Sequence, residues 1–228
     1  MFKKYLDTVF MLMVQPILFY TKMPAGNWKE ESLAFCGITS WIVSFFISLT
    51  IFINQLLPVG LTLWVEVKGW KMLLVSPVAF VLTCMFFIII YSIVGGLLMA
   101  GFLALFYALG YLLNLGGKWM GGKAELNQSI KASYYSSVSA LVMILVAILA
   151  IFSKKGMLDF TNFKIGYNII YSFFVLYLYG ITAIASRKTH GVERWKAFVA
   201  ALVPIALLII AGIAVNLVLI NKIQNWVI

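Results

Sequence analysis

The sequence predicts an all-α fold: a polytopic membrane helical bundle of five transmembrane helices, preceded by an N-terminal amphipathic interfacial helix. Of 228 residues, 64% are hydrophobic and only 11% charged, whereas a soluble domain carries about 25% charged residues. The mean hydropathy is +1.04, and several uncharged runs exceed the roughly 18 residues that mark a candidate span. These observations exclude a water-soluble globule and make the bilayer the solvent for most of the chain.

Residues 1–32 read as the interfacial helix and its connection, and residues 33–228 as a single transmembrane domain. In FKKYLDTVFMLMVQPILFYTK, Phe2, Leu6, Phe10, Met13, Ile17 and Tyr20 recur at helical spacing, with Lys3, Lys4, Asp7 and Gln15 among them. That is the pattern of a helix lying half-sunk among headgroups. A signal peptide is the competing reading, because Lys3 and Lys4 precede a short apolar stretch. Pro16 interrupts that stretch, and no small-x-small cleavage site follows it. MPAGNWKEES, residues 23–32, is a polar connection.

The first span covers residues 33–57 and is ended by Pro58 and Gly60. Trp64 and Trp70 then flank Glu66 and Lys68, a composition suited to the headgroup layer. Residues 72–115 are an uncharged run of about 44 residues, or about 65 Å as one helix, twice the hydrocarbon thickness. Either this run crosses once or two spans meet near Gly95 and Gly96. The basic residues favour one crossing. It places Lys3, Lys4, Lys22, Lys29, Lys118, Lys123, Lys131, Arg187, Lys188, Arg194 and Lys196 on one side, 11 against the 6 at Lys68, Lys71, Lys154, Lys155, Lys164 and Lys222. Two crossings give 8 against 9 by the same count, which obeys the positive-inside rule less well. A turn at Gly95 and Gly96 would also leave backbone groups in hydrocarbon without polar partners. The remaining spans are residues 134–152, 167–186 and 197–220. Trp28, Trp64, Trp70, Trp119, Trp195 and Trp226 lie at or beyond span ends, as an aromatic belt requires.

The net charge of +10 is scattered between the apolar runs, which points away from nucleic acid and toward anionic lipid headgroups. Cys36 and Cys84 fall inside apolar runs, where thiols behave as small hydrophobes. No span interior holds an ionisable residue, and the sequence shows no paired histidines, HExxH helix, diphosphate-binding acidic pair or phosphate loop. The expectation is therefore a protein without catalytic residues, metal or cofactor. Arg187, Lys188, His190, Arg194 and Lys196, with Glu193, form the densest charged cluster. They read as a topogenic loop or as a contact for lipid phosphate or an acidic partner, with His190 a solvated loop residue. Lys118, Lys123 and Lys131 form a second candidate contact on the same side, and Gly116, Gly117, Gly121 and Gly122 read as turn-formers. Gly96, Ala100, Ala104 and Ala108 recur every four residues, a stripe along which another helix can approach closely, within the chain or between copies. Asn54, Gln55, Asn114 and Asn216 are amides suited to bonding between helices.

The order of these features resembles the Yip-domain family in its bacterial branch. The residues that carry the resemblance are Gln15 and Pro16 before PAGNWKEESLAF, a long second span, GGKAELNQSIKASYYSSVSAL from Gly121, and YLYGITAIASRKTHGVERWKAFVAALVP from Tyr177. It runs from about Pro16 to Ile220 through short, apolar motifs. The resemblance implies a five-span fold and a protein that is not an enzyme; eukaryotic relatives bind Rab GTPases in vesicle traffic. Those relatives have a long N-terminal region and an Asp-Leu-x-Gly-Pro motif before the first span, where this chain reads KMPAGNWKEES, so Rab binding is not carried over. The expected role is to organise or recruit membrane proteins or lipids; a small-molecule or lipid transporter or pore is the alternative. The expected setting is a bacterial cytoplasmic (inner) membrane, with the N-terminus cytoplasmic and the C-terminus opposite. The partners expected are anionic lipids, an unidentified membrane protein and a second copy of the chain.

Overall fold

The computed structural model describes residues 2–23, 26–58 and 71–224. The predicted headgroup segment with Trp64, Glu66, Lys68 and Trp70, together with Gly60 and Trp226, lies outside the described residues. Helix α1 (Phe2–Val14) and short α2 (Pro16–Thr21) precede α3 (Glu31–Ile51), which a π-helical turn (Phe52–Leu56) extends. Helix α4 (Lys71–Trp119) is followed by α5 (Leu126–Ser136), a 3-10 segment (Ser137–Met143) and α6 (Ile144–Lys154), which together make one rod. Then come α7 (Phe160–His190) and α8 (Arg194–Ala214), the latter prolonged by a π turn (Val215–Leu219) and a 3-10 turn (Ile220–Ile223). Among the described residues, five segments are long and apolar enough to cross a membrane: Glu31–Leu56, Val75–Trp119, Leu126–Lys154, Phe160–His190 and Arg194–Ile223. The molecule is an all-α polytopic bundle.

The long apolar run is one continuous helix of 49 residues. Gly95 does not break it; Gly95 lets the ring of Trp41 from α3 approach, and a Cβ there would lie 3.1 Å from that ring. The two halves of α4 have different surroundings. Its second half buries Phe106, Leu109 and Leu113, and the first two join Ile130, Tyr134, Leu178, Ile205 and Leu208 in the core. Its first half meets α3 through an aromatic ladder, Tyr91 against Trp41 and Phe45, and Phe87 against Phe45 and Phe52. The outer side of that half, including Val78, Phe80, Met85 and Ile89, is bare.

The third rod changes pitch at a serine-rich stretch. Ser136 Oγ donates to the Ala132 carbonyl (3.0 Å) and Ser139 Oγ to the Ser136 carbonyl (2.8 Å). Such hydroxyls compete for backbone acceptors and favour departure from ideal α geometry.

Pro16 resets the phase of the N-terminal segment, so its predicted apolar stripe divides. Leu6, Phe10, Met13 and Ile17 are exposed, as a lipid-facing stripe requires, whereas Tyr20 turns inward with Tyr5, Leu12 and Phe19. The Tyr20 hydroxyl bonds Ser136 Oγ (2.9 Å), and that of Tyr5 bonds Thr39 (3.1 Å). The interfacial segment is thus fastened to the bundle by its polar tips while its other face stays apolar.

Candidate interaction face

The two basic loops come together at one end of the bundle, and the residue that joins them is His190. Helix α7 is started by Asp159, whose side chain accepts from the Asn162 backbone N–H at 2.7 Å. It is stopped by Gly191 in the left-handed conformation (φ 65°). Because the helix runs through His190, the imidazole projects inward from its last turn and is only 3% exposed. This corrects the expectation of a solvated loop histidine: the basic neighbours describe the helix surface, and the ring lies on the other side of it.

The space for the ring is made by two glycines. A Cβ on Gly117 would lie 2.4 Å from His190 Cε1, and one on Gly122 would lie 2.6 Å from His190 Cβ. Gly117 belongs to α4, and Gly122 to the loop that follows, where Gly121 takes φ 83°. Of the four glycines read as turn-formers, Gly116 and Gly117 therefore act inside a helix as close-packing positions; a Cβ on Gly116 would meet the Ala200 carbonyl at 2.5 Å. The backbone completes the clamp: Gly122 N–H donates to the Gly117 carbonyl (2.8 Å) and Lys123 N–H to the His190 carbonyl (3.3 Å). His190 Nε2 is 3.0 Å from Ser129 Oγ, which is 3.4 Å from Asn114 Oδ1. With the Ser129 hydroxyl donating to Asn114, the Nε2–H donates to Ser129, and Nδ1 is left buried without a hydrogen-bond partner among the described residues.

Around this clamp Lys118, Lys123, Arg187, Lys188 and Arg194 are exposed, and Lys196 is half-buried. Lys196 Nζ stands 5.6 Å from the Trp195 ring centre, and the Trp195 indole N–H donates to Glu193 Oε2 at 2.8 Å. Trp195 and Trp119 are themselves largely exposed at this end. Lys131 is not part of that surface. It is 3% exposed and donates to the Gly26 carbonyl at 3.3 Å, because its helix packs beneath the 26–30 connection, where the Trp28 N–H also donates to Asn127 Oδ1 (3.0 Å). The face thus unites the connection after α2, the α4–α5 loop and the α7–α8 loop.

The small-residue stripe on α4 points outward. Gly96, Ala100 and Ala104 are exposed, Ala108 is half-buried, and none of the described residues lies within 4 Å of a Cβ on Gly96. The packing stripe inside the chain is instead on α3, where Ser32, Cys36, Ser40, Ser44 and Ser48 recur every four residues and are all 0% exposed. Their spacing was a readable signal, hidden because the residues are four serines and a cysteine rather than glycines and alanines. The amides bond between elements: Asn54 donates to the Ala150 carbonyl (3.1 Å), Asn114 faces Ser129, and Asn216 bonds Asn168.

The search of curated proteins and that of solved structures each return no match. The profile of the Yip1 domain family matches residues 12–215, from within α1 to the π turn after α8. That match takes in all five long helices and both loops of the basic face, and the chain belongs to the Yip1 domain family.

Proposed function

We propose that this protein is a non-enzymatic organiser of the membrane that recruits a partner, through the basic end of its bundle, in a bacterial cytoplasmic membrane. The observation that supports this reading is the clamp at His190, which holds two loops in one arrangement with five cations exposed around it. A loop that served only to fix topology needs the charges but not the rigid mounting. Binding is stronger when the contact groups are ordered beforehand, since less freedom is lost on association. Family members interact with proteins such as Rab GTPases; here the partner is an acidic membrane-protein segment, with anionic headgroups adding attraction of about 1 kcal/mol per basic residue near the surface.

Native mass spectrometry of the protein extracted gently from its own membrane tests the proposal. A co-purifying protein should be present with the wild type and absent when Lys118, Lys123, Arg187, Lys188 and Arg194 are all changed to Gln, at an unchanged melting temperature. A partner retained by that variant, or specific turnover of a substrate by the reconstituted protein, overturns it.

A further inference from the structure

Far from the basic face, α7 and α8 diverge to form a groove that opens on the outside of the bundle. Its wall includes Asn168 and Tyr171 of α7 and Gly212, Ile213, Asn216 and Leu217 of α8 and its π turn. It encloses about 520 Å³, within the roughly 300–1,000 Å³ of small-molecule sites. Gly212 sets its depth, since a Cβ there would lie 2.2 Å from the Tyr171 ring. The Tyr171 hydroxyl donates to the Leu208 carbonyl at 2.6 Å, which fixes the ring as the floor. The two amides of the wall meet at one end, where Asn216 bonds Asn168, and the Ser172 hydroxyl lies one turn further in. Asn216 lies in a π turn, a geometry frequent at functional positions in helices.

The depth of this polar end is the informative quantity. From Ser186, the last residue before the basic end of α7, Asn168 is 18 residues away, about 27 Å of helix; from Ala197, Asn216 is 19 residues away, about 29 Å. Hydrocarbon is about 30 Å thick, so both amides stand where the acyl chains end and the ester groups begin. Lys164 is one helical turn nearer the water than Asn168, and Lys222 follows Asn216 toward the same end. Read outward from the bilayer centre, the groove offers an apolar trough and then amide donors and acceptors, and the two lysines follow along the helices beyond its lining.

We infer that this groove is a binding site for one anionic phospholipid. An acyl chain lies along Ile209 and Ile213, the glycerol ester oxygens meet Asn168 and Asn216, and the phosphate faces Lys164 and Lys222. This assignment is independent of the role of the basic face.

Full-length protein in neutral detergent, titrated with dioleoylphosphatidylglycerol or dioleoylphosphatidylcholine and read by native mass spectrometry, tests it. The wild type should retain phosphatidylglycerol in preference to phosphatidylcholine. Lys164→Gln with Lys222→Gln should weaken that retention by about fivefold for each lysine removed. Ile213→Trp should lower the number of retained phosphatidylglycerol molecules by one. Ile213 is exposed, so the larger ring fills the trough without entering the core, and Ile209→Trp, at a lining position that is also exposed, repeats the test if Ile213→Trp lowers the melting temperature. Equal retention of the two lipids by the wild type, or a wild-type number of bound phosphatidylglycerols in folded variants, overturns the assignment.

Discussion

The imidazole of His190 and the glycines that receive it can be altered independently, which makes the clamp measurable. Gly117→Ala places a methyl group against the ring, 2.4 Å from Cε1, and overpacking of this kind costs about 1–3 kcal/mol. His190→Ala leaves Ser129 without the imidazole bond and opens a void, at a cost of about 1–3 kcal/mol. Because the added methyl occupies space the ring has vacated, the double variant should be less destabilised than the two single effects combined. A coupling of about 0.5–3 kcal/mol is expected for residues in contact. Thermal unfolding in detergent supplies all three values, and strict additivity would show that ring and glycine do not touch. Nothing near His190 in the chain announces this role. Arg187, Lys188, Arg194 and Lys196 all speak for a solvated loop, and the cradle is supplied from about 70 residues away.

Among the elements, the sequence distinguishes helices from connections well and distinguishes the faces of those helices poorly. The apolar runs are legible because hydrocarbon demands them, and the continuity of α4 follows from the absence of any polar residue to serve a turn at Gly95. Which side of a span meets protein is harder to read, since lipid tails are as apolar as leucine and no amphipathic signal separates the two. The stripes Gly96–Ala100–Ala104–Ala108 and Ser32–Cys36–Ser40–Ser44–Ser48 have the same spacing, yet the first faces outward and the second is buried. Ala100→Leu with Ala104→Leu should therefore change the melting free energy of the chain by no more than about 0.5 kcal/mol. Ser44→Leu should cost about 1–3 kcal/mol by overpacking. A reversed order of these effects in thermal unfolding would place α4, rather than α3, at the centre of the bundle.

The molecule as a whole is uneven: packing, hydrogen bonds and basic charge gather at the end built around His190, while the first half of α4 leans on α3 with its outer side bare. That bare length imposes a condition on the surroundings. At a tilt of about 40°, the steep end of the usual range, hydrocarbon of about 30 Å covers about 26 helical residues. The uncharged run of residues 72–115 is about 18 residues longer than this. Side chains such as Phe80, Met85 and Ile89 gain nothing from water, so thicker lipid or a second protein surface has to cover them, and mismatch costs fractions of a kcal/mol for every Å left uncovered. In vesicles of monounsaturated phosphatidylcholine, the melting temperature should rise as the acyl chains lengthen from about 14 to about 22 carbons. A flat response would mean that a second protein surface, rather than lipid, shields α4. Where lipid is that cover, the helix is a gauge: it makes the thickness of the membrane a determinant of where the protein settles, and makes the protein a centre around which thicker lipid collects.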